Sequence, residues 1–190
     1  MSSTRVELDD RVEWHDELGR HHREDGPAVE YANGNRWWYV DGQLHRIDGP
    51  AVEYANGNRS WWMAGRLHRL DGPAYEDTCG CRSWWVNGKR HRVDGPAIEW
   101  KSGSFEFWVN GEQHRIDGPA VEYRWSRKWR VEGKLHRTDG PAIESSNGDR
   151  EWFVDNRRHR VDGPAIERAD GICSWWIDGF PYDIIEEGTP

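Results

Sequence analysis

Apolar and polar residues alternate along short stretches of this chain, and the alternation restarts every 23 residues at a fixed phrase, His-Arg-x-Asp-Gly-Pro-Ala-x-Glu. Seven copies open at His22, His45, His68, His91, His114, His136 and His159, the copy at His114 being one residue shorter. In the copy opening at His45, residues 50–54 alternate and begin with proline, which suits the first position of a strand because no ladder donor is needed there. Asn56-Gly57 predicts a two-residue hairpin turn with both central residues at positive φ. Residues 60–63 are the returning strand, and Ala64-Gly65 makes a second turn before the next copy. A short fixed period makes each copy one supersecondary unit stacked on its neighbours. The pattern therefore predicts an all-β fold, an elongated antiparallel meander or solenoid of about seven stacked 23-residue β-hairpin repeats. It would hold about fourteen strands and run roughly 65 Å at the usual strand spacing.

Strand periodicity sorts the aromatic residues into two ladders. Trp38, Trp61, Trp84, Phe107, Trp129, Trp152 and Trp175 share a face with Val40, Met63 and their equivalents, and are expected to pack. Tyr39, Trp62, Trp85, Trp108, Arg130, Phe153 and Trp176 point the other way. A single-layer sheet cannot bury both faces within itself, so the second ladder is either a binding stripe or a surface covered by long Arg and Lys stems. The repeats span 22–180. Residues 1–21, with the half-copy Trp14-His15-Asp16-Glu17-Leu18-Gly19, are expected to cap one end. Residues 181–190 form a C-terminal cap or tail, in which Ile184 and Ile185 offer a dimerisation contact.

Segments such as Trp85-Val86-Asn87-Gly88-Lys89-Arg90-His91 resemble the Trp-x-Asn-Gly-Lys-x-His core of MORN repeats, which share the 23-residue period. The likeness spans the repeat array. It departs after the histidine, where MORN repeats carry Gly-x-Gly and this chain carries Arg-x-Asp-Gly-Pro-Ala, a variant similar to repeats in proteins of bacteria, phages and large viruses. The resemblance implies a hairpin-stacked binding scaffold without shared catalytic residues. Lipid binding and protein tethering are the roles proposed for the family, and a phage-type setting would suit an accessory protein that blocks a host factor.

Composition narrows the picture. Charged residues make up 32% of the chain, aliphatic residues are scarce and there are 14 Trp, so a thick Leu/Ile/Val core is not expected. The net charge of −8 is largely a product of the repeat, since each copy fixes one Arg against one Asp and one Glu. Cys79, Cys81 and Cys173 are odd in number and make no disulfide framework, which points to a reducing compartment. Neither a signal peptide nor a transmembrane run is evident, so a cytoplasmic location is expected.

Repetition itself argues for structure, because a single site needs its residues only once. Equivalent histidines would lie two strands, about 9.5 Å, apart and cannot share one metal ion. The Arg, Asp and Glu of each copy are expected to build a charge ladder between units. Candidate function therefore lies where the copies disagree. The copy at His114 reads Tyr123-Arg124-Trp125-Ser126-Arg127-Lys128-Trp129-Arg130, loses its turn glycine and brings four cations beside a tryptophan. Arg124, Trp125, Arg127, Lys128 and Arg130, with the second ladder, are the predicted partner-binding residues. Cys79-Gly80-Cys81 is read as a variable loop. No nucleophile–base pair or phosphate loop stands apart from the repeat, so no catalytic residues, cofactor or metal are expected. The expected activity is binding of a protein partner. Nucleotide or single-stranded nucleic-acid binding through the basic copy is the alternative, anionic membrane a weaker fit to an acidic chain, and a homodimer remains open.

Overall fold

Each copy contributes two hairpins where the sequence predicts one. A computed structural model describes residues 3–182, which contain thirty short strands and no helix. Sixteen strands follow one another antiparallel in chain order within the two units, and the other fourteen pair off as seven two-stranded hairpins. The chain divides into two compact units, Met1–Lys101 and Ser102–Pro190. In the first, nine sheet strands follow one another: Thr4–Glu7, Arg11–His15, Val29–Tyr31, Arg36–Trp37, Val52–Glu53, Arg59–Ser60, Tyr75–Glu76, Arg82–Ser83 and Ile98–Glu99. The second carries Phe105–Glu106, Val121–Tyr123, Ser126–Lys128, Ile143–Ser145, Arg150–Glu151, Ile166–Glu167 and Cys173–Ser174 in the same fashion.

The predicted returning strand is cut at the first tryptophan. Trp61 N–H donates to Ala74 O of the next copy at 2.8 Å, and its carbonyl accepts from His68 N–H at 3.0 Å. Arg59–Ser60 therefore stays in the sheet, while Trp62–Met63 turns away and pairs with Arg66–Leu67. Turn chemistry divides accordingly. The second turn holds two residues at positive φ, as in Asn87 (51°) and Gly88 (77°), the geometry that matches strand twist in a two-residue hairpin. The first turn differs from the prediction, because only Gly57 is at positive φ. Gly57 N–H donates to Tyr54 O (2.8 Å) and Tyr54 N–H to Asn58 O (3.0 Å), so a four-residue turn ends on a left-handed glycine. In the shortened copy Tyr123 pairs directly with Ser126, leaving Arg124 and Trp125 as the loop.

The core is thinner than the first tryptophan ladder suggests. Ala28, Ala51, Ala74, Ala97, Ala120, Ala142 and Ala165 are wholly buried, most of them followed by a buried Val or Ile. The first-ladder aromatics are half-buried and lie beside this column. On the sheet, Glu and Arg alternate from strand to strand as Glu30, Arg36, Glu53, Arg59, Glu76, Arg82 and Glu99. Opposite charges therefore stand on neighbouring strands, while the motif arginines pair with the Asp and Glu of their own copy, as Arg46 does with Asp48 and Glu53.

At the N-terminal end, Thr4–Glu7 and Arg11–His15 add a hairpin against Val29–Tyr31. The outermost strand is exposed along its length and carries Arg5 and Glu7, a charged edge that discourages pairing with another chain. Phe180–Pro181 closes the last small hairpin. Ile184 and Ile185 lie outside the described residues.

Candidate functional site

The motif is a guanidinium clamp. Arg92 shows it: its Cζ sits 4.0 Å from the centroid of the Trp84 ring, contributed by the preceding copy. Nε donates to Asp94 at 3.0 Å, and Nη1 to the Pro96 carbonyl (3.1 Å) and to Glu99 (2.8 Å). The opposite side of the guanidinium lies against Gly95, where an added Cβ would come within 2.9 Å of Cζ. Arg23, Arg46, Arg69, Arg115, Arg137 and Arg160 stack likewise on Trp14, Trp38, Trp61, Phe107, Trp129 and Trp152 at 4.0–4.2 Å. Every fixed letter of Arg-x-Asp-Gly-Pro-Ala-x-Glu thus has a packing or hydrogen-bonding task, and the inter-copy link is cation–π stacking. The hydrogen bond from each arginine holds Asp48, Asp71, Asp94, Asp117 and Asp139 below the usual carboxylate range.

The register histidines are occupied by the fold. Nδ1 of His22, His45, His68, His114 and His159 accepts a backbone N–H from the turn of the next small hairpin at 3.1–3.3 Å. Nδ1 of His68 and His159 also lies 2.9 Å from Asn87 Oδ1 and Asp178 Oδ1 of the same turns.

The second ladder is half-buried, and Phe153 is buried. Trp62, Trp85 and Trp176 donate their indole N–H to Ser60, Ser83 and Ser174 at 2.7–2.9 Å, and Trp108 donates to Glu106 at 2.6 Å. Arg90 lies over Trp85, and Arg158 lies over both Phe153 and Trp176. Tyr39 packs against His21 and Trp37. The small hairpins are thereby fastened to the sheet by the same rings that sequence reading offers to a partner.

The basic copy is split between surfaces. Trp125 is 64% exposed and stacks on Tyr123 with centroids 5.5 Å apart and planes 18° apart. Arg124, Trp125 and Arg127 line a shallow pocket of about 320 Å³ together with Glu122 and Glu144, and Arg127 pairs with Glu122 at 3.4 Å. Lys128 points to the other side of its strand, as the alternation requires. Arg130 belongs to a small hairpin, where Nη1 donates to Gly133 O at 2.6 Å. Three of the five predicted residues are therefore together, and two are elsewhere. Cys79, Cys81 and Cys173 are free thiols, the first two in the first unit and the third in the second.

Two features escape the sequence reading. The variable residue of His-Arg-x-Asp is Ile47, Leu70 and Val93 in the first unit and Ile116 and Val161 in the second, each between 77 and 84% exposed. Ile47, Ile116 and Val161 each stand on a loop beside an open groove between successive copies. One such groove, of about 680 Å³, is lined by Trp38, Val40 and Ile47, and another of about 650 Å³ by Ile116, Trp129 and Val131. Position x varies between copies, which disguised it as filler. The second feature is a set of metal-ligating side chains, Glu13, His15 and His21, whose ligand atoms lie within 4.8 Å of one another.

No helix among the described residues is long and apolar enough to cross a membrane. No protein-family model matches the chain, and no curated protein matches it.

Proposed function

We propose that this chain is a non-catalytic repeat scaffold that binds a protein partner, and that the exposed aliphatic residue carried by five of the seven copies supplies the contact. One observation carries this reading: Ile47, Leu70 and Val93 occupy the same loop position in successive copies and stand about 80% free of the chain's own packing. Aliphatic side chains aligned in this way make an apolar surface of the kind that marks an interface. Asp48, Asp71 and Asp94 adjoin them and are mostly exposed. The complementary partner presents apolar side chains beside Lys or Arg. In the phage-like setting that the MORN resemblance implies, such a surface would occupy and block a host protein.

The aromatic ladder supports this scaffold from within, and the Tyr123–Trp125 stack offers a second contact in the other unit. That exposed stack beside Arg124 and Arg127 also favours a nucleic-acid reading, in which a base lies on Trp125. Glu122 and Glu144 on the same pocket wall oppose phosphate, so the protein reading stands first.

Affinity capture with mass spectrometry tests it. A partner retained by the wild type is lost with Ile47→Asp, Leu70→Asp and Val93→Asp combined, and is kept by Trp125→Ala. Equal capture by the aliphatic variant, or tryptophan quenching by oligonucleotides that weakens steeply with salt, would replace this reading with the other.

A further inference from the structure

Each small hairpin meets the sheet at a nook made by three side chains. Two lie two residues apart in the chain, and the third is the cross-strand partner of the second. In the copy opening at His45 these are Ser60, Trp62 and Leu67; in the next they are Ser83, Trp85 and Arg90. The N-terminal half-copy builds the same nook, since His15 bridges to His21 across its turn. Its three residues are Glu13, His15 and His21. In the copy opening at His91 the first position is likewise a carboxylate, Glu106, but its donors there are Trp108 and Gln113, whereas the N-terminal nook sets two imidazoles beside its carboxylate.

Their geometry has an order of its own. His15 Nε2 is 2.8 Å and His21 Nε2 is 3.4 Å from the same carboxylate oxygen, Glu13 Oε2. Two ligand atoms on a tetrahedral zinc ion stand about 3.3 Å apart. His15 Nδ1 donates to the Gly19 carbonyl at 3.1 Å, the outer hydrogen bond that orients a metal-bound imidazole and turns Nε2 inward. His21 Nε2 is buried without a hydrogen-bond partner. Glu13 is itself buried, and Arg11 binds its other oxygen at 2.5 Å, leaving Oε2 to the histidines.

We infer that Glu13, His15 and His21 form a site for a borderline divalent transition-metal ion of the zinc type, bound through Oε2 and the two Nε2 atoms with a fourth position open to water or an outside ligand. The neighbouring group Asp16, His22 and Asp41 differs. Asp16 is saturated by the Leu18 and Arg20 N–H groups and the Arg20 guanidinium, and it serves the turn. Metal at the first site would tie the capping turn to the end of the sheet.

Calorimetric titration of the full chain with Zn²⁺ tests the site, with Cys79, Cys81 and Cys173 changed to Ser so that thiols do not compete. One ion per chain is expected. The combined Glu13→Ser, His15→Trp and His21→Leu variant, which restores the nook of the copy opening at His45, should fold and lose the binding. His21→Leu alone keeps most of the packing and decides the matter should the triple variant unfold. Absence of binding by the parent chain, or equal binding by the His21→Leu variant, overturns the site.

Discussion

At the scale of single residues, the repeated phrase encodes a buried-edge cation and its cage. Neither composition nor strand periodicity reveals the cage, because Arg46 and Trp38 stand eight positions apart on different copies and meet only after the small hairpin between them has turned. What the sequence shows is that Arg, Asp, Gly and Glu recur together, and recurrence alone correctly assigns them to structure. The cage predicts a direction for acid sensitivity. Arg11, through its hydrogen bond, and the nearby histidines lower Glu13 to about 2, and the motif arginines depress their aspartates. A carboxyl whose folded pKa lies below its unfolded one contributes stability that is complete above the unfolded value and disappears as pH falls through the folded one. Thermal stability should therefore hold down to about pH 4.5 and decline toward pH 2. Melting curves across that window should fall less steeply for Glu13→Gln than for the wild type. Parallel declines would remove Glu13 from the account.

At the scale of the element, the all-β meander and both turn positions are legible, while the break at Trp61 is not. Alternation continues unchanged through residues 60–63, so period alone cannot show that the backbone of Trp61 is spent on His68 and Ala74 of the next copy. Asn-Gly likewise fits more than one turn, and only the hydrogen bonds of Tyr54 distinguish them. The second turn demands left-handed conformations, and in one copy the residue placed there is Ala64, at φ 47°. Alanine has no side-chain group to offset that cost, whereas asparagine tolerates it. Ala64→Asn is expected to stabilise the chain by about 0.5–1 kcal/mol, read as a higher urea midpoint. A lower midpoint would contradict the turn assignment.

At the scale of the molecule, enclosed and exposed side chains occupy neighbouring positions of one phrase, and the proposed function assigns recognition to the exposed ones. The rings of the second aromatic ladder are large and alternate outward, and in the fold Trp62, Trp85 and Trp176 bond to serines while arginines lie over Trp85 and Trp176. The exposed aliphatic position is not legible in the sequence, since a variable letter inside a fixed motif carries no pattern. Arg92 and Val93 are adjacent in sequence and opposite in role: the first is enclosed by Trp84, Gly95, Asp94 and Glu99, and the second is 81% exposed. Equilibrium urea unfolding of Arg92→Ala beside Val93→Asp weighs this division directly. Loss of the stack and its charge-assisted hydrogen bonds should cost Arg92→Ala about 2 kcal/mol. Val93→Asp should stay within about 0.5 kcal/mol of the wild type. A Val93→Asp chain destabilised as much as Arg92→Ala would show that the aliphatic row belongs to the fold and is not free to bind.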